Sequence, residues 1–374
     1  MSGLYLHIPF CKQACSYCDF YFVTRTSERE YFVDQLIKEI HSYEDTDYAG
    51  ETVKTIYFGG GTPSLLEPMQ VEQIFSAIHE VFSVDMSEIT FEMNPDDVTA
   101  EFLSALKNIG INRASMGVQS FQPELLDFMH RAHNRDEALR CIELLEKTGF
   151  DTYTVDLIYG NPGQSLEQLE QDLETLLRFD PPHISAYSLT IEPRTRLGKQ
   201  VELGRIAPPE DDKVADHFDL INERFREHGI RRYEVSNYSK PGKEAVHNSS
   251  YWEHENYLGF GPGAHSFWWG EEAVRWENEA DLRKYVQAES NPQKGKLTHL
   301  QLAEERLMMG LRTRKGIGVE ELGNQYDYEL NDRQKEYLDK RQAEDKLQLD
   351  KRIRLTDKGI KIADAIILDL VTLH

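Results

Sequence analysis

The chain has 374 residues, 40% of them hydrophobic, and a formal net charge of −23 at pH 7. This length allows a large core or two domains, and no apolar run is long enough to span a bilayer. The acidic balance argues against nucleic acid as a partner, and no basic patch supports membrane binding, although peripheral contact through an apolar face or another protein stays open. The N-terminal strand pattern contains no signal peptide, and the unprotected thiols described next predict a cytoplasmic location.

The first predicted strand, residues 4–8, leads into Cys11, Cys15 and Cys18 at CxxxCxxC spacing. Thiolates are soft ligands that suit zinc or iron–sulfur clusters. Structural zinc needs a closed set of four ligands, and His7 lies within the strand at an unusual spacing for the fourth. A disulfide framework does not suit so large a chain with four cysteines. We therefore predict an iron–sulfur cluster that leaves one iron open for a substrate or cofactor.

Strand and helix patterns alternate through the first half of the chain, which predicts a parallel sheet. The helical patterns include one over residues 165–177 that opens with Ser165 as a cap, and one in which Cys141 shares an apolar face with Ala138 and Ile142. Cys141 is therefore predicted to be a core residue. The predicted strands are residues 4–8, 53–58, 88–93, 112–116, 152–158 and 183–189.

A glycine-rich segment, GGGTP at residues 59–63, follows the second predicted strand and precedes a helix that begins near Pro68. Glycines in that place allow the backbone to approach a ligand closely. The last region, residues 298–374, predicts a helix over about 298–311, a hairpin of 346–350 with 352–356, and a final helix over 357–370. It carries 14 Lys+Arg against 15 Asp+Glu, which argues against DNA binding.

CxxxCxxC after a short strand resembles the signature of the radical S-adenosylmethionine (SAM) superfamily, in which three cysteines hold a [4Fe–4S] cluster and SAM binds its open iron. The alternating pattern and the resemblance together predict an α/β fold with a partial (β/α)6 TIM-like barrel over residues 1–190, and the helices and hairpin after residue 298 predict a small winged-helix-like α+β domain over residues 298–374. Residues 191–297 would connect the two. The chemistry should collect at the C-terminal ends of the barrel strands.

The opening YLHIPFC at residues 5–11 matches the coproporphyrinogen III oxidase-like branch of that superfamily. Taken singly, Glu92 could be a solvated strand end, Arg131 a surface charge, and Gln119 or Asp156 a helix cap. Their matching order and spacing favour the SAM site. The resemblance implies SAM contacts at Tyr5, Tyr17, Gly61, Thr62, Pro63, Glu92, Gln119, Arg131 and Asp156.

Three features separate the chain from the oxidases. Phe20 stands where they have a fourth cysteine, only ten residues precede Cys11, and residues 247–252 read HNxxYW. That motif and residues 257–266 resemble the HemW-type heme chaperones, which implies heme as cargo and hemoproteins, with respiratory ones among the candidates, as recipients. The implied heme contacts are His247, Asn248, Tyr251, Trp252 and His265.

Imidazole is a common axial ligand of heme iron, and aromatic rings can line a flat apolar site. His254 and His265 compete with His247, whose alternative role is a local hydrogen bond. The function predicted from this resemblance is heme chaperone. The alternative is a SAM-dependent decarboxylase like the oxygen-independent oxidases, although we expect no coproporphyrinogen III oxidase activity. A non-catalytic iron–sulfur module is the third option. The recipient, SAM cleavage and a homodimer are left open.

Overall fold

The structure, a computed structural model, describes residues 2–289 and 292–374. Its strands are β1 Ser2–Ile8, β2 Val53–Gly60, β3 Val84–Met93, β4 Arg113–Gln119, β5 Thr152–Tyr159, β6 His183–Ser188, β7 Arg231–Arg232, β8 Asn237–Ser239, β9 Asn256–Phe260, β10 His265–Trp269, β11 Ala273–Glu277, β12 Gly295–Lys296, β13 Ile317–Gly318, β14 Leu347–Leu349 and β15 Arg352–Leu355.

The helices alternate with these strands through the first half of the chain, as the sequence pattern predicts. They are α1 Arg29–His41, α2 Pro68–Val81, α3 Ala100–Ile109, α4 Pro123–Met129, α5 Arg135–Thr148, α6 Leu166–Leu177, α7 Arg196–Glu202, α8 Asp211–Glu227, α9 Val246–Trp252, α10 Leu282–Val286, α11 His299–Leu311, α12 Val319–Tyr326, α13 Asp332–Ala343, α14 Asp357–Ile360 and α15 Ala363–Thr372.

The six strands β1 to β6 lie side by side in sequence order, and each neighbouring pair is parallel. Strands of such a sheet are covered by helices on their outer face, and nearly every residue of β1 and β4 is buried, although β4 also carries polar residues such as Arg113 and Ser115. Residues in the C-terminal parts of β1 to β6, or in the segments that follow them, line one common cavity, so the sheet curves around it. The predicted partial (β/α)6 barrel is confirmed.

The sequences of the helices that cover the barrel explain where these helices begin and which of their faces is buried. Ser165 caps α6, where its side chain accepts a hydrogen bond from the Gln168 backbone amide, as predicted. On α5, Cys141 is buried with its Sγ 3.5 Å from the Met116 Sδ, in the core rather than at a site. Amphipathic helices with caps of this kind cover the outer face of the sheet.

Residues between the barrel and the last domain extend the same sheet on both sides. Strands β8 and β7 continue it antiparallel beyond β6, while β9 lies parallel to β1 and leads into the antiparallel strands β10 to β12. In the described residues the sheet therefore has 12 strands. Helix α9 crosses the N-terminal half of the barrel, where it contacts β2 and β3.

The last domain contains α11 to α15 and a small antiparallel sheet in the order β13-β15-β14. The predicted helix from 298 and the predicted hairpin are both present. The single final helix predicted over 357–370 is wrong, because the backbone leaves helical angles at Ile362 (φ −125°, ψ 30°) and separates α14 from α15. Gly359 anchors α14 so close to the Lys346 carbonyl that no Cβ would fit there.

Candidate functional site

The three cysteines lie in the loop after β1, at a cavity of about 570 Å³ on the C-terminal edge of the barrel. Backbone hydrogen bonds from Cys11 to Val23 (3.0 Å) and from Ser16 to Met129 (3.0 Å) fix the loop at both ends. All three thiols are free and half-buried. In the part of the chain that the structure describes, no three His, Cys, Asp or Glu side chains converge closely enough to hold one metal ion.

A polar chain links two of these thiols to the end of β3. The Thr62 hydroxyl lies 3.5 Å from Cys11 Sγ, and Arg131 Nη1 lies 3.4 Å from Cys15 Sγ. Asn94 connects the two, since it accepts from Arg131 Nη2 at 2.6 Å and donates to Thr62 at 3.1 Å. A guanidinium beside the thiols supports their negative charge when they deprotonate to bind iron.

The glycine-rich segment passes under this loop. Gly60 has a φ of +104°, and a Cβ there would lie 2.5 Å from the His7 ring. A Cβ at Gly61 would lie 2.7 Å from the backbone oxygens of Ile8 and Phe10, so only glycine fits. The close approach that these glycines allow is to the end of β1 and the start of the cysteine loop, and the predicted approach to a ligand stays a prediction.

Two buried carboxyl groups stand at the cavity base. Glu92 accepts hydrogen bonds from the Tyr57 hydroxyl (2.6 Å) and the Gly60 amide (3.2 Å), and burial raises the pKa of Glu92 to about 7. Burial likewise raises the pKa of Asp156 to about 6, against the opposing effects of Ser185 and nearby arginines. Both carboxyl groups are therefore partly protonated near neutral pH in the absence of a ligand that carries a positive charge or donates a hydrogen bond to them.

Gln119 ends β4 in a conformation that non-glycine residues rarely adopt, with a φ of +70°. The pairing with β5 shifts register between Gly117 and Gln119, which turns the end of the strand toward the cavity. A Cβ at Gly117 would lie 3.0 Å from the side-chain Nε2 of Gln119 and 3.2 Å from Nη2 of Arg131, so a larger residue there would displace cavity-lining side chains. Strain of this kind commonly accompanies ligand sites.

Three buried polar atoms of cavity-lining residues have no hydrogen-bond partner in the structure: Gln119 Oε1, Asp156 Oδ1 and Arg131 Nε. The two oxygens are acceptors for an ammonium or hydroxyl group, and the guanidinium is a donor for a carboxylate. SAM carries all three of these groups. Buried polar atoms are normally satisfied, so these residues fit SAM, and the neighbouring free thiols fit a cluster beside it.

The cavity brings together every predicted SAM contact except Tyr5. Tyr5 lies beneath it, where its hydroxyl is 3.1 Å from His7 Nδ1 and its ring stacks on Tyr57 at 6.1 Å. Sequence reasoning missed Asn94 and Tyr187, whose signal was their position at or just after the ends of β3 and β6. The predicted residues that do line the cavity are Cys11, Cys15, Cys18, Tyr17, Gly61, Thr62, Pro63, Glu92, Gln119, Arg131 and Asp156.

The HNxxYW motif forms α9 at the opposite end of the barrel. His247 is fully buried, with its Nδ1 2.8 Å from the Thr55 hydroxyl and its Nε2 2.8 Å from the Tyr251 hydroxyl. Its ring also stacks on Tyr57 at 5.0 Å. Burial lowers the pKa of His247 to about 3, so the ring is neutral. In this arrangement both nitrogens are occupied, and iron ligation would require one hydrogen bond to break.

Helix α9 is tied down at both ends. The buried Glu88 carboxylate accepts hydrogen bonds from the backbone amides of Val246 (2.9 Å) and His247 (3.0 Å). At the other end, Arg306 of the last domain donates to the Trp252 carbonyl at 2.6 Å and pairs with Glu321. We call this arrangement of α9, Glu88 and Arg306 the barrel floor. Asn248 and Trp252 are half-buried in it.

The two competing histidines lie elsewhere. His254 is buried between Phe267 and Tyr326, with its Nε2 3.3 Å from Glu305. His265 begins β10 and its side chain is 57% exposed, with only the exposed Glu277 carboxylate beside it at 3.5 Å. Of the histidines considered as heme ligands, His265 is therefore the one that an external ligand reaches without rearrangement.

Comparison with known proteins places the fold. The family model for the Radical SAM superfamily matches residues 5–176, and that for the HemN C-terminal domain matches residues 297–362. The solved structure of coproporphyrinogen III oxidase (HemN) from Escherichia coli has a TM-score of 0.83 and covers 100% of this chain and 90% of that chain at 20% identity, which shows the fold alone. Fold and cavity together define a protein of the radical SAM class.

Similarity to curated relatives identifies one family within this class. The heme chaperone HemW of Lactococcus lactis is 35% identical over 97% of this chain and 95% of its own length. That of Bacillus subtilis is 35% identical over 88% of each chain, and that of Escherichia coli 38% identical over 70% of this chain and 69% of its own. The chain belongs to the HemW heme chaperone family. No helix in the described residues is long and apolar enough to cross a membrane.

Proposed function

We propose that this protein is a heme chaperone, which binds heme and passes it to hemoproteins while it holds a SAM-chelated [4Fe–4S] cluster. The observation that carries the proposal is the near-complete coverage of HemW relatives, supported by a cavity whose free thiols and unpaired polar atoms fit the cluster and SAM. The radical SAM family implies both cofactors.

In this proposal Cys11, Cys15 and Cys18 hold the cluster, and Arg131 supports the charge of the thiolates. When bound, the cluster can supply one electron to the SAM sulfonium. Glu92 and Asp156 accept hydrogen bonds from SAM, and their ionised forms make the stronger acceptors. Tyr187 adds an aromatic side chain to the cavity wall.

The oxidase-like decarboxylase is the second candidate, because the E. coli oxidase shares the fold across the whole chain. Phe20 argues against it. Its side chain is 70% exposed at the cavity and supplies no thiol where the oxidases have their fourth cysteine. An exposed aromatic side chain at the mouth suits a contact with a flat apolar molecule better than it suits iron.

For the heme contact, the geometry favours His265 among the predicted ligands, since its ring is exposed and its one carboxylate partner is weakly held. His247 becomes available only when the Tyr251 hydrogen bond breaks and α9 shifts. A contact that involves Asn248, Tyr251 and Trp252 therefore goes together with a rearranged barrel floor. Respiratory recipients stay a prediction from the resemblance, a cytoplasmic location stays a prediction from the unprotected thiols, and a homodimer stays open.

The experiment that tests the function uses the reduced, reconstituted protein with SAM. We expect a stable Soret band on titration with heme and no decarboxylated product from coproporphyrinogen III. Conversion of coproporphyrinogen III at catalytic rates would contradict the chaperone proposal. Phe20→Cys should remain inactive as a decarboxylase, because the remainder of the site is unchanged.

Three variants then locate the heme ligand. Loss of the Soret band in His265→Ala alone supports the exposed ligand. Loss in His247→Ala alone supports the floor, provided that its circular dichroism is native. Tyr251→Phe frees His247 Nε2 without removing the ring, so it should strengthen heme binding if His247 is the ligand and leave it unchanged otherwise.

A further inference from the structure

A second cavity, of about 410 Å³, lies between the outer edge of the main sheet and the hairpin of the last domain. Its lining differs from that of the first cavity, because arginine is the most frequent residue type in it. Helix α8 and strand β7 form one wall, and the β14–β15 hairpin forms the other. The arginines that line it are Arg226, Arg231, Arg232, Arg314 and Arg354.

This concentration of positive charge runs against the composition of the chain, which has 65 acidic and 42 basic residues. The one carboxylate in the lining is Asp357, whose two oxygens lie 2.9 Å from Arg232 and 3.4 Å from Arg226. Arg354 pairs outside the lining with Asp350 at 3.0 Å. The positive charge of the cavity is therefore only partly compensated by the protein itself.

Two of the arginines have no ionic partner. Among residues 2–289 and 292–374, no carboxylate oxygen lies within 4.0 Å of the side-chain nitrogens of Arg231 or Arg314, and both residues are exposed. Arg232 is the opposite case, because its side chain is only 9% exposed and its Nε is buried with no hydrogen-bond partner. Donors thus remain unused both at the entrance and in the wall.

The arginines are held at fixed positions by the backbone. Arg231 and Arg232 are paired with Ser239 and Tyr238 in the sheet, and the backbone amide of Arg314 donates to the Tyr233 carbonyl at 2.9 Å. Arg354 belongs to β15, in register with Gln348. Arg231, Arg232 and Arg354 therefore lie on strands of two domains, and their backbone positions are set before a ligand arrives, which favours binding.

We propose that this cavity binds a small molecule that carries two or more phosphate or carboxylate groups. Planar guanidinium forks match both groups with paired hydrogen bonds, and the volume lies in the range of ligand pockets. Two sources share this chemistry: a phosphate compound such as a nucleotide, and a dicarboxylate such as a porphyrin with its two propionates. The second source rests on the proposed chaperone function, and the first does not.

The test is isothermal titration calorimetry on the full chain with two probes, inorganic pyrophosphate and metal-free deuteroporphyrin IX, the latter compared with its dimethyl ester. The variant Arg231→Glu/Arg314→Glu changes two exposed side chains that have no ionic partner, so the fold should persist. The control Arg140→Glu/Arg178→Glu makes the same charge change at exposed arginines that line neither cavity.

We expect at least one probe to bind the wild type, and its affinity to fall at least about tenfold in the first double variant but stay near the wild-type value in the control. Pyrophosphate binding assigns a phosphate ligand, and binding of the porphyrin diacid without its ester assigns a carboxylate ligand. No binding of either probe, or equal losses in both double variants, would overturn the site.

Heme binding followed by the Soret band in the same variants separates this site from the chaperone function. A normal Soret titration together with lost pyrophosphate binding would retain both proposals. Failure of heme binding in the wild type, with pyrophosphate binding intact, would remove the chaperone function and leave the anion site standing.

Discussion

The two ends of the barrel differ in how the polar side chains described below are hydrogen-bonded. At the C-terminal edge, polar atoms of Gln119, Asp156 and Arg131 are buried without partners around an open cavity. At the barrel floor, the ring nitrogens of His247 and both carboxylate oxygens of Glu88 are bonded within the protein. The unpaired atoms at the edge await a ligand, whereas the bonds of His247 and Glu88 hold α9 against the barrel, although Arg113 Nη1, at the start of β4 beside Glu88, is also buried without a partner.

One residue touches both ends. The Tyr57 hydroxyl donates to Glu92 at 2.6 Å beside the cavity, and its ring stacks on His247 at 5.0 Å above the floor. A shift of α9 would therefore reach the carboxylate that faces the SAM cavity through a single side chain. The comparison predicts that edge variants lose ligands and keep stability, whereas floor variants lose stability first.

The largest effect is expected at the edge thiols. Replacing any one of Cys11, Cys15 and Cys18 with Ala should abolish the visible absorption of the reconstituted cluster, because a three-thiolate site has no spare ligand. Cys141→Ser is the matched control and should retain the cluster, since Cys141 lies in the core beside Met116. Full iron loading in a triple Ala variant would refute the assignment.

At the floor, His247→Ala should lower the free energy of unfolding by about 3 kcal/mol. The variant leaves a cavity and strips the buried Thr55 and Tyr251 hydroxyls of a partner. His265→Ala, at an exposed position, should change it by no more than about 0.5 kcal/mol. Equal denaturation midpoints for the two variants would show that the floor is not the stabilising end.

Back at the edge, Asp156→Asn and Gln119→Ala should each weaken SAM binding by roughly tenfold to a hundredfold. Each removes or weakens a buried hydrogen bond to a charged or polar group, a loss of about 1.5–3 kcal/mol. Asp151→Asn, at the other end of β5 and exposed, serves as control. Unchanged SAM affinity in both edge variants would place the cofactor outside this cavity.

The smallest effect is expected at Glu92, where the ionised carboxylate favours ligand binding but lowers the stability of the fold. Its pKa of about 7 in the folded protein lies above the ordinary value of 4.5, so the folded state keeps a proton that the unfolded chain releases as pH rises through that interval. Stability is therefore lost as pH rises from about 4.5 to about 7. When the pH rises from 5 to 8, the unfolding free energy of Glu92→Gln relative to that of the wild type should increase by on the order of 2 kcal/mol.

Urea denaturation at pH 5 and pH 8 measures this gain, with the exposed Glu101→Gln as control. The same variant should bind SAM more weakly at pH 8, because the amide cannot replace the ionised carboxylate. A wild-type stability that tracks Glu92→Gln at both pH values would mean that the Glu92 carboxyl titrates normally.

Sequence reasoning found the edge because its signals are local. The patterns of strands β1 to β6 alternate with those of helices, and the residues that end the strands, such as Glu92 and Gln119, meet at one edge of a parallel sheet. The cysteine spacing and the glycines added chemistry to that position. Asn94 was missed because its role, bridging Thr62 and Arg131, depends on contacts that no spacing reveals.

The floor could not be found in this way. The bond between Thr55 and His247 joins residues 192 positions apart, and the motif alone does not distinguish a buried helix from an exposed loop. The arginine cavity draws on residues 226–232, 314 and 354, which converge only after the last domain packs against the sheet. The helix breaks at Ile362, three residues after Gly359 packs against the Lys346 carbonyl, a tertiary contact that the helical pattern does not reveal.

The central claim is that the thiols and the polar cavity form one site, in which SAM binds the cluster. Electron paramagnetic resonance of the reduced, reconstituted protein tests it most directly. We predict that SAM changes the spectrum of the cluster in the wild type, and that the same SAM concentration has a reduced effect in Asp156→Asn. A reduced cluster whose spectrum is the same with and without saturating SAM would contradict the claim.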